Sequence, residues 1–231
     1  WVFANLEYRP VQRLTLNAGG YAERNSLSPS TFSPRAAANF NVAPAHTLRV
    51  VLSAGTRSPD IQEQRTNWTY RFEEVTPQLN GSTTAFLFQS RVGPGNLKSE
   101  RIRSREVGYL WNQQSLGLLL DVRVFDDRLT DLISERPNLA GLVPTNDGSV
   151  RLTGAELQVN ARLAPGWNGY ANYAYLDNRD ATIVLERTQW SRHSGSLGLS
   201  REFADGWQAA IAYAGQSGDG YLQSPYGRTD V

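Results

Sequence analysis

The chain of 231 residues carries 23 Lys and Arg against 22 Asp and Glu, and this net charge of +1 gives no electrostatic case for a nucleic-acid partner. It has no cysteine and two histidines far apart in sequence, His46 and His193, which removes disulfides, thiolate sites and cysteine nucleophiles and leaves almost no room for zinc chemistry. No apolar run approaches the ~18 residues of a membrane-spanning helix, yet a mean hydropathy of −0.45 is compatible with a membrane β-barrel, which places lipid-facing residues at every second position.

Alternation with period two predicts about ten strands. In chain order they cover residues 2–8, 14–22, 36–42, 47–56, 105–111, 116–126, 153–163, 167–175, 194–201 and 207–213. The separation is sharpest in 153–163, where Ala155, Leu157, Val159, Ala161 and Leu163 oppose Gly154, Glu156, Gln158, Asn160 and Arg162. In 47–56, Leu48, Val50, Leu52 and Ala54 oppose Thr47, Arg49 and Ser53. In 116–126, five aliphatic residues oppose Asp121 and Arg123, with Leu119 and Phe125 as apolar members of the polar side. Helical periodicity is expected nowhere.

The connections alternate between short and long. Short turns are expected at 9–13, 43–46, 112–115, 164–166 and 204–206, where Pro10, Pro44, Asn112, Pro165-Gly166 and Asp205-Gly206 are turn formers. Long connections are expected at 24–35, 57–101, 127–150 and 177–192. This polarity matches a barrel with short periplasmic turns and long extracellular loops. Tyr8, Trp167 and Trp207 stand next to short turns, where an interfacial aromatic belt would place them. Within the strands Arg49, Asp121, Arg123, Glu156 and Arg162 fall on the polar face, as the cost of ~2–4 kcal/mol for a cation facing mid-membrane lipid requires, while Arg201 shares a face with Leu197 and Leu199 but lies next to the 204–206 turn, where a long side chain reaches the interface. A soluble sandwich shows the same alternation with its apolar face turned inward, so alternation alone leaves both open. Strands of about ten residues and polarised loops favour the barrel.

With these residues in view, the chain resembles the barrel of TonB-dependent outer-membrane receptors. Phe32-Ser33-Pro34-Arg35, Thr47-Leu48-Arg49 and Gly55-Thr56-Arg57-Ser58-Pro59 are similar to successive phrases of that family. So are Leu97 with Glu100, Glu106 with Gly108-Tyr109, Phe125 with Asp131-Leu132-Ile133, and Gly154 with Glu156. Ser191 departs from the family's proline two residues before a histidine like His193, which receives no role. Nothing resembles the plug, the TonB-engaging motif or the terminal aromatic strand, so residues 1–231 are expected to be a partial barrel domain without plug or closing strands.

The expected fold is therefore all-β: an antiparallel up-and-down transmembrane barrel segment in the bacterial outer membrane. The resemblance implies a transporter that imports a scarce ligand, such as a ferric siderophore, with energy from the TonB complex. Its implied partners are its own plug, TonB, outer-membrane lipid and an iron-siderophore. Arg49, Asp121, Arg123, Glu156 and Arg162 would face the lumen and plug. The long 57–101 connection, where Arg65, Trp68, Tyr70, Arg71 and Phe72 combine cationic and aromatic groups, is the candidate for a bulky anionic ligand; packing within the loop is the alternative. A small hairpin of 69–75 with 84–90 is also expected there. No catalytic residue, metal or cofactor is expected: Asp126, Asp127 and Asp131 lack calcium-loop spacing, and His193 and Ser194 point to opposite faces of a strand. The rival function is a binding or adhesion module, in the outer membrane or soluble, without energised transport.

Overall fold

The computed structural model describes residues 1–68, 71–78, 80–86, 91–138, 141–178, 180–182 and 191–217. Its strands are β1 (Val2–Val11), β2 (Leu14–Glu23), β3 (Thr31–Ala43), β4 (His46–Arg57), the two-residue pieces β5 (Asn67–Trp68), β6 (Arg71–Phe72), β7 (Ala85–Phe86) and β8 (Arg91–Val92), then β9 (Glu100–Gln113), β10 (Leu118–Asn138), β11 (Gly141–Ala164), β12 (Trp167–Asp177), β13 (His193–Glu202) and β14 (Gln208–Gln216). The ten long strands pair antiparallel in the order β1-β2-β3-β4-β9-β10-β11-β12-β13-β14. The sheet does not close on itself among the described residues.

Register fixes the two faces. Leu48 pairs with Tyr109, which pairs with Val122, then Leu157, then Tyr173. One step along, Val50, Val107, Val124, Ala155 and Tyr175 form the next row. This apolar face is the open one, with Val50 47%, Val107 51%, Val124 50%, Leu197 57% and Ile211 73% exposed. A sandwich buries its apolar face; here no second layer covers it among the described residues, and a patch of this extent requires an apolar partner. Few side chains are buried in the ordinary sense, among them Val51, Leu97 and Ala181, so the ladder of strand hydrogen bonds rather than a packed core organises the protein.

One end of the sheet is made of tight turns. Pro165-Gly166 joins β11 to β12 with Gly166 at φ 77°, and Gly206 at φ 80° turns the chain ahead of β14; both need the left-handed region open to glycine. Trp207 lies just outside β14, one residue short of the strand expected to begin with it.

At the other end β3 begins at Thr31, paired with Glu23, so the connection expected at 24–35 is only 24–30, and the structure corrects two further expectations. Residues 127–150 are not a loop: β10 and β11 continue as a paired hairpin, from Arg128↔Arg151 to Asn138↔Gly141, with register shifts near Leu132. Strands of 21 and 24 residues would extend roughly 70–80 Å, far beyond the ~9–11 residues that cross a bilayer. The sequence looks loop-like because Pro137, Asn138, Gly141 and Pro144 are turn formers, but ladder pairing outweighs local preference. Secondly, 57–101 contains a helix, α1 (Ile61–Arg65). Asp60 accepts from Glu63 N at 2.7 Å and Glu63 accepts from Asp60 N at 2.8 Å, a capping box that holds one helical turn without amphipathic periodicity. The small hairpin in this connection exists as β6 paired with β7; residues 69, 70 and 87–90 of the expected hairpin lie outside the described residues.

Candidate functional site

Two polar constructions stand out: an ion chain on the polar face, and a knot of loops at the long-loop end. The chain starts from register. Arg49, Gly108, Arg123 and Glu156 occupy one row across β4, β9, β10 and β11. Glu106, one step along β9, bridges both arginines, with Oε1 2.9 Å from Arg49 Nη2 and Oε2 3.3 Å from Arg123 Nη1. Arg123 then grips Glu156 with two hydrogen bonds, Nε to Oε2 at 2.7 Å and Nη2 to Oε1 at 2.8 Å. The Arg49 guanidinium rests across Gly108, where a Cβ would lie 3.2 Å from it. Four charges thus neutralise one another in a line, which the partial exposure of Arg123 and Glu156 (40% and 41%) keeps hydrated.

Asp121 and Arg162 share this face but lie outside the chain. Asp121 pairs with Leu110 and Gln158 in the ladder, and Arg162 pairs with Asn168 nearer the turns. There Arg162 lines an open recess of about 450 Å³ with Gln114, Asn160, Tyr170 and Ser200. Phe125, one of the two apolar exceptions, is explained by its partner: its ring covers Gly154, where a Cβ would come within 2.6 Å of Cζ.

At the mouth, Arg57 joins α1 to the sheet. Its Nε and Nη2 donate to Glu100 at 2.6 and 2.8 Å, and its Nη1 and Nη2 to Glu63 at 3.1 and 3.0 Å. Burial works to raise the pKa of Glu100, but the Arg57 guanidinium and the Ile133 N–H outweigh it and hold the carboxyl below its usual range; those same two carboxylates raise Arg57. Buried Gln64 donates to Leu27 O at 2.7 Å and accepts from Leu97 N at 2.9 Å, tying the 24–30 turn to both limbs of the long connection. Asn146 of the projecting hairpin donates to Lys98 O at 2.9 Å and Asp131 O at 2.7 Å and accepts from Lys98 N at 2.7 Å. Three connections are therefore bound into one body.

The five residues expected to meet a ligand do not form one cluster. Arg65 lies on α1 and donates to Ser26 O at 3.4 Å; Trp68, 43% exposed, is in β5 opposite Arg91. Arg71 and Phe72 belong to the separate β6–β7 pair, where exposed Arg71 bridges exposed Glu73 at 3.2 Å. Tyr70 lies outside the described residues. Tyr8, Trp167 and Trp207 are all at the turn end; Trp207 is 76% and Tyr8 60% exposed, and the Arg201 guanidinium lies over the Trp167 ring at 4.9 Å. His46 stacks there on Trp111 at 5.5 Å. His193 accepts or donates a 2.7 Å hydrogen bond with Tyr173 Oη, away from Ser194 on the other face.

Sequence reasoning named Glu106 only as a position of the family resemblance, without its bridging role, and gave no role to Glu63 or Gln64. Glu63 was legible, because Asp60 and Glu63 have capping-box spacing. The bridge that Glu106 makes between Arg49 and Arg123 becomes visible only through cross-strand register, and Gln64 only through tertiary contact.

The sequence model described as "TonB dependent receptor-like, beta-barrel" matches residues 1–231. No curated protein matches by sequence. Among solved structures, the siderophore receptor PirA of Acinetobacter baumannii superposes with a TM-score of 0.69 at 12% identity over 93% of this chain and 33% of its own. The ferric enterobactin receptor PfeA of Pseudomonas aeruginosa, in complex with enterobactin, gives 0.70 at 16% over 94% and 33%. The copper transporter OprC gives 0.65 at 19% over 92% and 33%. The chain spans about a third of the length of these structures.

Proposed function

Since this chain belongs to the TonB-dependent receptor-like β-barrel family, we propose that it forms part of the wall of an outer-membrane transporter that imports a ferric siderophore with TonB-supplied energy. The observation that carries this reading is the open apolar face backed by a continuous ion chain: a barrel wall with lipid on one side and a hydrated lumen on the other uses both, and a soluble domain uses neither. On this proposal Arg49, Asp121, Arg123, Glu156 and Arg162 face the plug. Arg49 Nε, buried and without a hydrogen-bond partner among the described residues, is a donor a plug acceptor would satisfy. Tyr8, Trp167 and Trp207 sit in the periplasmic interface, with Arg201 reaching past Trp167. The knotted mouth holds the loops that would present Arg65, Trp68, Arg71 and Phe72 to an anionic chelate.

The siderophore reading takes its ligand class from PirA and PfeA, and the copper transporter OprC shares the same fold. The rival without energised transport is separated by one experiment. Iron-deficient cells carrying the full-length receptor are given radio-iron enterobactin, with and without TonB. Uptake that requires both receptor and TonB is the expected result. Binding with no TonB-dependent uptake would leave a passive receptor.

A further inference from the structure

The ion chain stops at β11, and beyond it the polar face loses its charge. The chain's row continues across β12, β13 and β14 as Ala174, Ser194 and Gln216, and the row nearer the turns as Asn172, Ser196 and Ala214. On these three strands the first charge met toward the turns is Glu202, and it is occupied: Gln208 Nε2 donates to it at 2.9 Å. Arg162 on β11 has no such partner. It forms no ion pair among the described residues, and the side chains around it in the recess of about 450 Å³ are neutral: Asn112, Gln114, Asn160, Asn168, Tyr170 and Ser200. The recess is shaped by its glycines. Gly117, in the left-handed region at φ 59°, brings the turn after β9 against β11: a Cβ there would meet Arg162 Cβ at 2.7 Å, and Arg162 N donates to Gly117 O at 2.9 Å. On the far side, the Tyr170 ring occupies the space that a Cβ on Gly198 would take. The backbone of Arg162 is therefore fixed while its exposed side chain is left free.

A lone cation among amides and hydroxyls suits one kind of visitor. With no carboxylate lining it, the recess holds a field of one sign, and a concave wall concentrates such a field. A guanidinium presents a planar fork to anionic oxygens, neutral amides and hydroxyls add hydrogen bonds without repulsion, and an aromatic ring such as that of Tyr170 offers a stacking surface. Whatever moves down this wall from the mouth passes the ion chain, whose charges already neutralise one another, and then neutral rows, before it reaches Arg162. We propose that the Arg162 recess is an exit subsite: it takes the anionic, oxygen-rich iron chelate at the turn end of the lumen, after the plug has yielded and before release to the periplasm. The inference deepens the transport reading above and rests on it. On this proposal Arg162 faces the plug across an open recess, and the cargo rather than a plug carboxylate is the partner of its guanidinium.

The test uses iron-deficient cells carrying the full-length receptor and radio-iron enterobactin. It reads binding to energy-depleted cells, the maximal rate of TonB-dependent uptake, and entry of vancomycin, which an intact plug excludes. R162Q should bind with wild-type affinity and exclude vancomycin, yet take up iron about ten-fold more slowly at saturation, the effect of losing a hydrogen-bonded charge at one step. R162K keeps the charge and should recover part of the rate. R13Q removes the same charge from the turn between β1 and β2, at the same end but outside the recess, and should match wild type. Import by R162Q at the wild-type rate overturns the proposal. So does a loss of affinity in energy-depleted cells, which would place Arg162 in the site that first captures the chelate, and so does entry of vancomycin, which would make the recess a seat for the plug. Should R162Q fail to reach the membrane, N168A carries the same prediction with a loss of about three-fold, that of one neutral hydrogen bond. A wild-type receptor without TonB-dependent uptake defeats the transport reading and this inference with it; uptake that is indifferent to R162Q defeats the inference alone.

Discussion

The two ends of this sheet are held by different physics. At the turn end, chain reversal is local: Pro44 or Pro165-Gly166 closes a hairpin whose strands are already adjacent, and the side chains around it are aromatic. At the mouth, Arg57, Gln64 and Asn146 join segments 33 to 48 residues apart through side-chain hydrogen bonds. The first end is specified residue by residue, whereas the second exists only once distant segments have met. Perturbing the mouth should therefore leave the turns intact, while perturbing the ladder between them should damage both.

The largest effect is expected from the ladder. Gly154→Val places a branched side chain where Phe125 and the β12 backbone leave no room, and overpacking of this kind costs about 3 kcal/mol. In the full-length receptor, the folded band of unboiled protein on a denaturing gel should be lost, and both ends with it. Gln64→Leu comes next. It leaves Leu27 O and Leu97 N buried without partners, at about 2 kcal/mol, so amide exchange should accelerate at Leu97 and remain unchanged at Gly166; equal acceleration at both would contradict the separation of the two ends.

Glu106→Gln is smaller. The bridged arginines are partly solvated, so about 1 kcal/mol is expected, and a double-mutant cycle with Arg123→Gln should show coupling that a cycle with Arg201→Gln does not. The smallest effect is acid sensitivity of the mouth. Because Glu100 is held below its usual pKa in the folded protein, its contribution is complete above the ordinary carboxylate range and fades as pH falls through the folded value. Exchange at the Ile133 amide, which donates to Glu100 at 2.8 Å, should rise on acidification, and Glu100→Gln should remove that pH dependence.

How much of this was legible follows the same division. All ten long strands could be found from alternation, since the burial difference between the faces is written at every second residue. The turn-end aromatics were found too, because their neighbours in sequence are their neighbours in space. The continuation of β10 and β11 through 127–150 was not, since pairing across the hairpin overrides the turn-forming character of Pro137 and Pro144. The face of each predicted lumen charge was readable, but the linkage of Arg49 to Arg123 was not, because Glu106 joins them only when three strands take their register. Gln64 carried no signal at all: an amide is equally at home in solvent.

The order in which the strands pair has a kinetic consequence. Every long strand lies beside its predecessor in sequence except at one junction, β4 with β9, which spans residues 58–99. Hairpins can thus be added one after another with short searches, and this junction is the slow search, its loop-closure entropy about 2.7 kcal/mol larger than that of a two-residue turn. The contacts of α1 with β9 through Arg57 and Glu100 shorten that search by closing the base of the connection. A chain growing from its β4 edge would wait there, and the knot at the mouth is what ends the wait.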